Sequence, residues 1–251
     1  RIAEGLVREG GPFRWSIQAT TNLTARLSAD ELRLLRRAGL HQICQGVDSA
    51  SPKILKLMNK TFQDFESIYL SADRCLKAGI RPSFNIIFGF PGEGPGERQQ
   101  TIRFVMDVCR RFPGTEFWTN IFTPYPGSPI MSHVKELGIQ LPQSLEGWAD
   151  YFPRYTVLPW LKGKDHRRVQ VMRDCLRMAF DRQPIAKYDP NRLVKSLQRI
   201  LSYAARWRLD QDFYAFPAEL WVNSKLKSLI PVAKAAVDAK QLEPAMEANC
   251  P

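Results

Sequence analysis

The sequence predicts an α/β fold, with four parallel strand–helix units in the first half and a mostly helical extension in the second. Three observations carry this reading. The stretch FNIIFGFPGE at 84–93 reads as a buried strand entering a tight Gly-Pro-Gly turn closed by an acid, because four of its first six residues are apolar. Around it, strand-like segments at 13–19, 41–47, 81–88 and 115–122 alternate with helix-period segments and short loops. That alternation implies right-handed parallel crossovers. After TPYPGSP at 123–129 the strand rhythm stops. An open doubly wound sheet and an arc of a (β/α) barrel both fit, and both place ligands at the carboxyl ends of the strands.

Residues 1–9 read as the tail of a helix whose start is missing, so a fragment of a longer chain is expected. Gly10, Gly11 and Pro12 break that helix and open the strand at 13–19. Ser28 and Glu31 have capping-box spacing, with Leu27 and Leu32 placed as a hydrophobic staple. Leu32, Leu35 and Ala38 form the inner stripe of this helix, and Gly39 stops it. The strand at 41–47 ends in the polar turn 48–51, and a short helix then reaches about residue 58. A longer helix over 64–78 turns Phe65, Ile68, Ala72, Cys75 and Leu76 inward and stops at Gly79. The strand at 81–88 leads to a helix ending near residue 111, with Ile102, Val105, Met106 and Cys109 facing in. The strand at 115–122 completes the set.

The carboxyl ends of these strands, at 20–22, 46–49, 89–93 and 123–128, are rich in Gly, Pro and hydroxyl side chains, as a ligand-facing rim should be. A boundary near residue 130 divides the chain into 1–130 and an extension, 131–251. The extension reads as a short helix at 130–137, an irregular aromatic stretch at 138–164 (Trp148, Tyr151, Phe152, Tyr155, Trp160), and helices at 165–182, 190–208 and 217–229. The aromatic stretch suits a satellite core or a cover for a pocket.

The 251 residues are 44% hydrophobic, enough for one good-sized core or a core with an appendage. The sequence has neither a run of 18 apolar residues nor a signal-peptide pattern, so a cytoplasmic location is the expectation. The formal net charge is +11, with the excess concentrated after Asp165. Such a face attracts nucleic acid, anionic lipid or an acidic partner, or it is simply solvated. With no RNA-binding module and no basic/aromatic motif, nucleic acid is not expected. The segment WVNSKLKSLI at 221–230 sets an apolar face beside Lys225 and Lys227. It suits peripheral membrane contact or internal packing, and packing is the expectation. Cys44, Cys75, Cys109, Cys175 and Cys250 stand far apart, without CxxC, CxxxCxxC or a Cys/His pair at ligand spacing, so no metal residue is assigned. Cys75 and Cys109 read as small core residues. His133 and His166 have no partner that the sequence identifies, and no catalytic residue is assigned.

Three segments in order, RRAGLHQICQGVDSASPKILKLMNK at 36–60, AGIRPSFNIIFGFPGE at 78–93 and TPYPGSP at 123–129, resemble the radical S-adenosylmethionine (SAM) superfamily. Within it they are similar to the class in which a cobalamin-binding domain precedes the barrel. The resemblance covers roughly 13–130. It implies the C-terminal part of a (β/α)6 partial barrel, the four strands here being the family's third to sixth. It also implies a [4Fe–4S] cluster held by a CxxxCxxC loop after the first strand, a reductant for that cluster, and SAM bound to its open iron. The 5′-deoxyadenosyl radical so formed takes hydrogen from a small-molecule substrate, and methyl transfer to carbon is a frequent outcome. The cluster loop and any cobalamin domain would lie before Arg1. The chain alone therefore has no family-type cluster site and is expected to be inactive in radical chemistry. A degenerate barrel that binds an anionic partner stays open as the alternative.

Carried over position by position, the resemblance implies SAM contacts at Asp48 and Ser49, where the family's turn usually has Glu and Ser. It implies a basic partner for the SAM carboxylate at Lys60 and backbone contacts to adenine at Gly89, Pro91 and Gly92. It also implies a pocket wall at Thr123 and Tyr125, in the turn with Pro124, Pro126 and Gly127. The residues also permit plainer roles: helix capping by Asp48 or Ser49, a solvated Lys60, Glu93 starting a helix, and turn chemistry after residue 122. Relatives often carry Arg-x-Asp five residues past a Trp. Here Trp15 is followed by Thr20 and Asn22, so that charged pair is gone.

Overall fold

A computed structural model describes the chain except for residues 12, 126, 129, 137–138, 150–159, 162, 181–191 and 230–251. Pro126, Cys250 and the aromatic residues Tyr151, Phe152 and Tyr155 lie outside the described residues, as does the side chain of His133. Four strands, β1 (Trp15–Ala19), β2 (Leu40–Asp48), β3 (Arg81–Phe88) and β4 (Glu116–Ile121), form one parallel sheet in the order β1-β2-β3-β4. The α/β expectation holds. The order never reverses, whereas a doubly wound sheet needs a reversal at its switch point. Sequential parallel strands are the winding of a (β/α) arc.

The helices of the first part are α1 (Ile2–Glu9), α2 (Thr21–Arg26), α3 (Ala29–Arg37), α4 (Pro52–Leu57), α5 (Phe65–Lys77), α6 (Pro95–Arg111), α7 (Ile130–Glu136) and α8 (Leu145–Ala149). The capping box forms as read: the Ser28 hydroxyl accepts from the Glu31 N–H at 3.2 Å, and the Glu31 carboxylate accepts from the Ser28 N–H at 2.7 Å. Asp64 caps α5 by accepting from the Glu66 and Ser67 N–H groups. Two short helices were not anticipated. α2 starts at Thr20, whose hydroxyl accepts from the Leu23 N–H, and α8 lies inside the stretch read as irregular. Both are too short to show a hydrophobic period. Cys75 is fully buried, whereas Cys109 is only half-buried.

Strand alternation gives the sheet two different faces. Ile43, Gln45 and Val47 of β2 are fully buried, and Ile43 packs with Leu32, Cys75 and Ile80 beneath α3 and α5. Phe84, Ile86 and Phe88 of β3 continue this helix-covered face, Phe84 being in register with Gln45. The opposite face is less covered: Gln18, Cys44, Asn85, Trp118 and Asn120 share it by register and are exposed or half-buried, while Ser83, paired with Cys44, is fully buried.

The chain divides into two compact units, Arg1–Val169 and Gln170–Pro251. The first extends past the end of the strand rhythm because Ile130, Val134, Ile139, Leu141 and Trp160 pack with Ile54, Phe90 and Phe122 at the carboxyl edge of the sheet. In the second unit lie α10 (Arg192–Gln211), α11 (Ala218–Leu229) and most of α9 (Lys164–Phe180). There the buried Arg208 guanidinium pairs with Glu219 and donates to the carbonyls of Ala215 (2.6 Å) and Phe216 (2.6 Å), closing the α10–α11 turn. Burial pushes the neighbouring Cys175 thiol up to about 12.

Candidate active site at the carboxyl edge of the sheet

At the end of β2 the pairing with β3 shifts by one residue between Gly46 and Asp48. Asp48 then takes a left-handed conformation, φ +63°, unusual for a residue with a side chain. Its carboxylate forms a close ion pair with Lys60, and the pair lies over Gly46, where an added Cβ would stand 3.3 Å from Lys60 Nζ and 3.6 Å from Asp48 Oδ1. Asp48 is buried and Lys60 is about one-third exposed, so the pair is reachable from solvent on the lysine side. Lys60 is held by its own loop, which α2 fastens: Asn22 Nδ2 donates to the Phe62 carbonyl at 3.2 Å, and Gln63 Nε2 donates to Thr21 Oγ1 at 3.1 Å. Thus Asn22 positions the loop of Lys60. Ser49 is fully buried; its hydroxyl accepts from the Ser51 N–H at 3.1 Å and meets Thr101 Oγ1 of α6 at 3.2 Å. Thr101 also accepts from the Ala50 N–H at 3.0 Å. Ser49 therefore ties the end of β2 to α6.

After β3 the chain turns through Gly89 (φ +76°) and Gly92 (φ +88°), a left-handed conformation that glycine adopts without a Cβ penalty. At Gly92 a Cβ would also stand 3.2 Å from Leu57 Cδ1. Pro91 is buried between them, and Gly92 is exposed. Glu93 closes the turn: its Oε2 accepts from the Gly89 N–H at 2.6 Å. The Gly89 carbonyl accepts from Trp160 Nε1 at 2.7 Å. Behind the turn, buried Arg98 donates to the Glu93 carbonyl at 3.0 Å, with its guanidinium 4.0 Å from Glu93 Oε2 and 3.8 Å from Asp165. Glu93 Oε1 and Arg98 Nε are buried without a hydrogen-bond partner. Burial drives the Glu93 carboxyl up to about 8, against the opposing pull of the Gly89 N–H and Arg98. Glu93 thus buttresses the glycine turn rather than simply starting α6. Its distance of four residues from Gly89 was the available sequence signal; Trp160 was legible only as a member of the aromatic stretch at 138–164, and Arg98 had no signal.

The β4 end completes the edge. Pro124 is buried, Thr123 Oγ1 donates to the Ile121 carbonyl at 3.4 Å, and the Tyr125 side chain is exposed. Asp48, the last residue of β2, and Lys60, Gly89, Pro91, Gly92, Thr123 and Tyr125, in loops, therefore all lie on one edge of the sheet, with Ser49 beneath the surface.

The donor chemistry decides which groups this edge suits. Among the described residues no group of three His, Cys, Asp or Glu side chains is gathered to hold a metal ion. Cys44, Cys75, Cys109 and Cys175 lie on four different elements, and the thiols of Cys44, Cys75 and Cys175 are raised by burial, the reverse of what a thiolate ligand needs. The residues present do not fit a [4Fe–4S] cluster. What stands at this edge is one carboxylate and one ammonium side by side, with a turn whose glycine Gly92 is exposed.

The sequence pattern of the radical SAM superfamily matches residues 2–105. Over 138 residues the chain is 29% identical to a bacteriochlorophyllide d C-12(1)-methyltransferase of Chlorobaculum tepidum, covering 54% of this chain and 28% of that protein. Over 179 residues it is 27% identical to an uncharacterized methyltransferase of Pyrococcus horikoshii, covering 71% of this chain and 36% of that protein. A solved structure of TsrM, a radical SAM methyltransferase from Kitasatospora setae with cobalamin and a [4Fe–4S] cluster bound, aligns with 53% of this chain and 27% of its own at 20% identity and a TM-score of 0.43. The chain spans about a third of the length of these curated relatives. Residues 2–105, which carry β1, β2 and β3, thus match the sequence pattern of the radical SAM superfamily.

Proposed function

We propose that this chain is the SAM-binding part of a radical SAM enzyme of the cobalamin-dependent kind, and that the whole protein transfers a methyl group to an unactivated carbon of a small molecule. The cluster and any cobalamin would be held outside this chain, so the chain alone is inactive. The observation that carries the reading is the Asp48–Lys60 pair over Gly46. Two charges that neutralise each other also complement the α-ammonium and α-carboxylate of an amino acid. A ligand of that kind exchanges one internal pair for two charge-assisted hydrogen bonds, ammonium to Asp48 and carboxylate to Lys60. The turn at Gly89–Gly92 offers backbone groups to the adenine ring, and Tyr125 offers a wall. Bound SAM supplies a methyl group or a carbon-centred radical. This chain's contribution is to hold and orient it. The methyltransferase relatives support the reaction class.

Equilibrium dialysis of the purified chain with SAM tests the binding half. Saturable binding, weakened about tenfold or more in Asp48→Asn and in Lys60→Ala, is expected; no saturable binding refutes it. The reaction half is tested on the longest reading frame containing this segment, purified without oxygen. About four irons per chain and cleavage of SAM to 5′-deoxyadenosine are expected. A complete reading frame with neither would overturn the enzymatic reading and leave a binding protein.

A further inference from the structure

Helix α10 has two apolar faces. Leu201, Ala205 and Leu209 are buried inside the second unit, as an amphipathic helix requires, and the opposite side of such a helix should be polar. Here it is not. Leu193, Ile200, Tyr203 and Trp207, spaced by seven, three and four residues, form a second stripe that is exposed, Tyr203 at 67% and Trp207 at 55%. The Phe213 ring extends the stripe, its centroid 5.9 Å from that of Trp207. At a rise of about 1.5 Å per residue the helical part is about 21 Å long. Lys195, Arg199 and Arg206 are exposed along one flank. Arg206 is anchored to the Ala179 carbonyl and lies over the Tyr203 ring at 5.7 Å. Among the described residues, Asp210, on the same side at the end of α10, and Asp212 beyond it are acids near this flank. The next turn holds Phe216 at φ +48° and 89% exposed, with its carbonyl gripped by Arg208.

We propose that this stripe is a docking surface for an anionic lipid membrane, with α10 lying flat in the headgroup region. Rings that are apolar with a polar tip, aliphatic neighbours and a cationic flank together match that boundary, where aromatic side chains sit at headgroup level and Lys and Arg meet lipid phosphates. No helix among the described residues is long and apolar enough to cross a membrane, so the contact is peripheral. An antiparallel second copy would set the same cations against each other across the contact, which disfavours self-association through this face.

The test is sedimentation of the full chain with vesicles of phosphatidylcholine alone, or with about 30% phosphatidylglycerol. Partitioning at least about tenfold stronger onto the anionic vesicles, and weaker as salt rises, is expected. The double variant Lys195→Glu/Arg199→Glu, confined to exposed side chains, should lower it about tenfold or more with far-UV circular dichroism and SAM binding unchanged. Trp207→Ala should also lower it, with its tryptophan emission no longer contributing a blue shift on binding. Equal partitioning onto both vesicle types, or binding insensitive to these variants, overturns the proposal. Self-association of the wild type abolished by Trp207→Ala also overturns it, because the stripe would then be an interface between copies.

Discussion

Replacing Glu93 by glutamine tests whether a buried acid holds the glycine turn in its protonated form. Burial raises this carboxyl from its ordinary 4.5 to about 8. Between those values the folded chain holds a proton on Glu93 that the unfolded chain has released, so folding stability falls as pH rises through the window. The slope is at most about 1.4 kcal/mol per pH unit, or on the order of 3 kcal/mol between pH 5 and 7.5. In Glu93→Gln the amide oxygen can still accept from the Gly89 N–H, and the side chain cannot ionise. The substitution also adds an amide N–H pair that must find partners, a roughly pH-independent cost of about 1–2 kcal/mol. The diagnostic is therefore the slope rather than the offset. Urea unfolding at steps from pH 5 to 8, followed by tryptophan fluorescence with Trp160 bonded to the turn, should show the variant gaining on wild type as pH rises. Parallel curves would refute the reasoning. Such parallel curves would mean that Glu93 is ionised in folded and unfolded chain alike across this range and paired with Arg98.

Four other outcomes follow from the described contacts. Ser28→Ala removes the hydroxyl half of the α3 capping box and should cost about 1 kcal/mol in urea unfolding. Ser49→Ala strips the acceptor from the Ser51 N–H and a partner from Thr101 in a fully buried site, so a loss of about 1–3 kcal/mol and weaker SAM retention are expected. Gly92→Ala places a side chain at φ +88° and 3.2 Å from Leu57, which should cost about 1–3 kcal/mol and also weaken SAM binding. Cys75 and Cys175, whose thiols burial raises to about 11 and about 12, should resist a disulfide reagent at pH 7 in the native chain and react once urea unfolds it.

The strands were legible because each is a short apolar run closed by Gly, Pro or a polar turn; β3 falls at 81–88 as read, and the other three shift by one or two residues at an end. The α3 cap was legible because its signal is local, three residues from Ser28 to Glu31. Lys60 meeting Asp48 was not, since they are twelve residues apart and meet only after α4 has folded back. The burial of Ser49 was missed for a related reason: its partner Thr101 lies 52 residues on, in a helix whose inner face was read from apolar residues alone. The less covered sheet face escaped notice because Cys44, Asn85 and Trp118 become neighbours through strand register, which period-two reading of single strands does not supply. The apolar side of α10 was hidden by its other apolar side: a helix with two such faces blurs the one-sided pattern by which core residues are recognised.

The register shift between Gly46 and Asp48 sets the parity of β2. From Ile43 to Val47 the strand alternates residue by residue between helix-covered core and the more open face. One extra residue resets the count, pairing Asp48 with the core position Ile86, while the left-handed turn swings its carboxylate over Gly46. Core and chemistry are thus separated along this strand by a single residue of chain. Deleting Val47 would leave a strand still able to pair along most of its length, yet would send the carboxylate elsewhere. A one-residue deletion could silence the site and spare the fold.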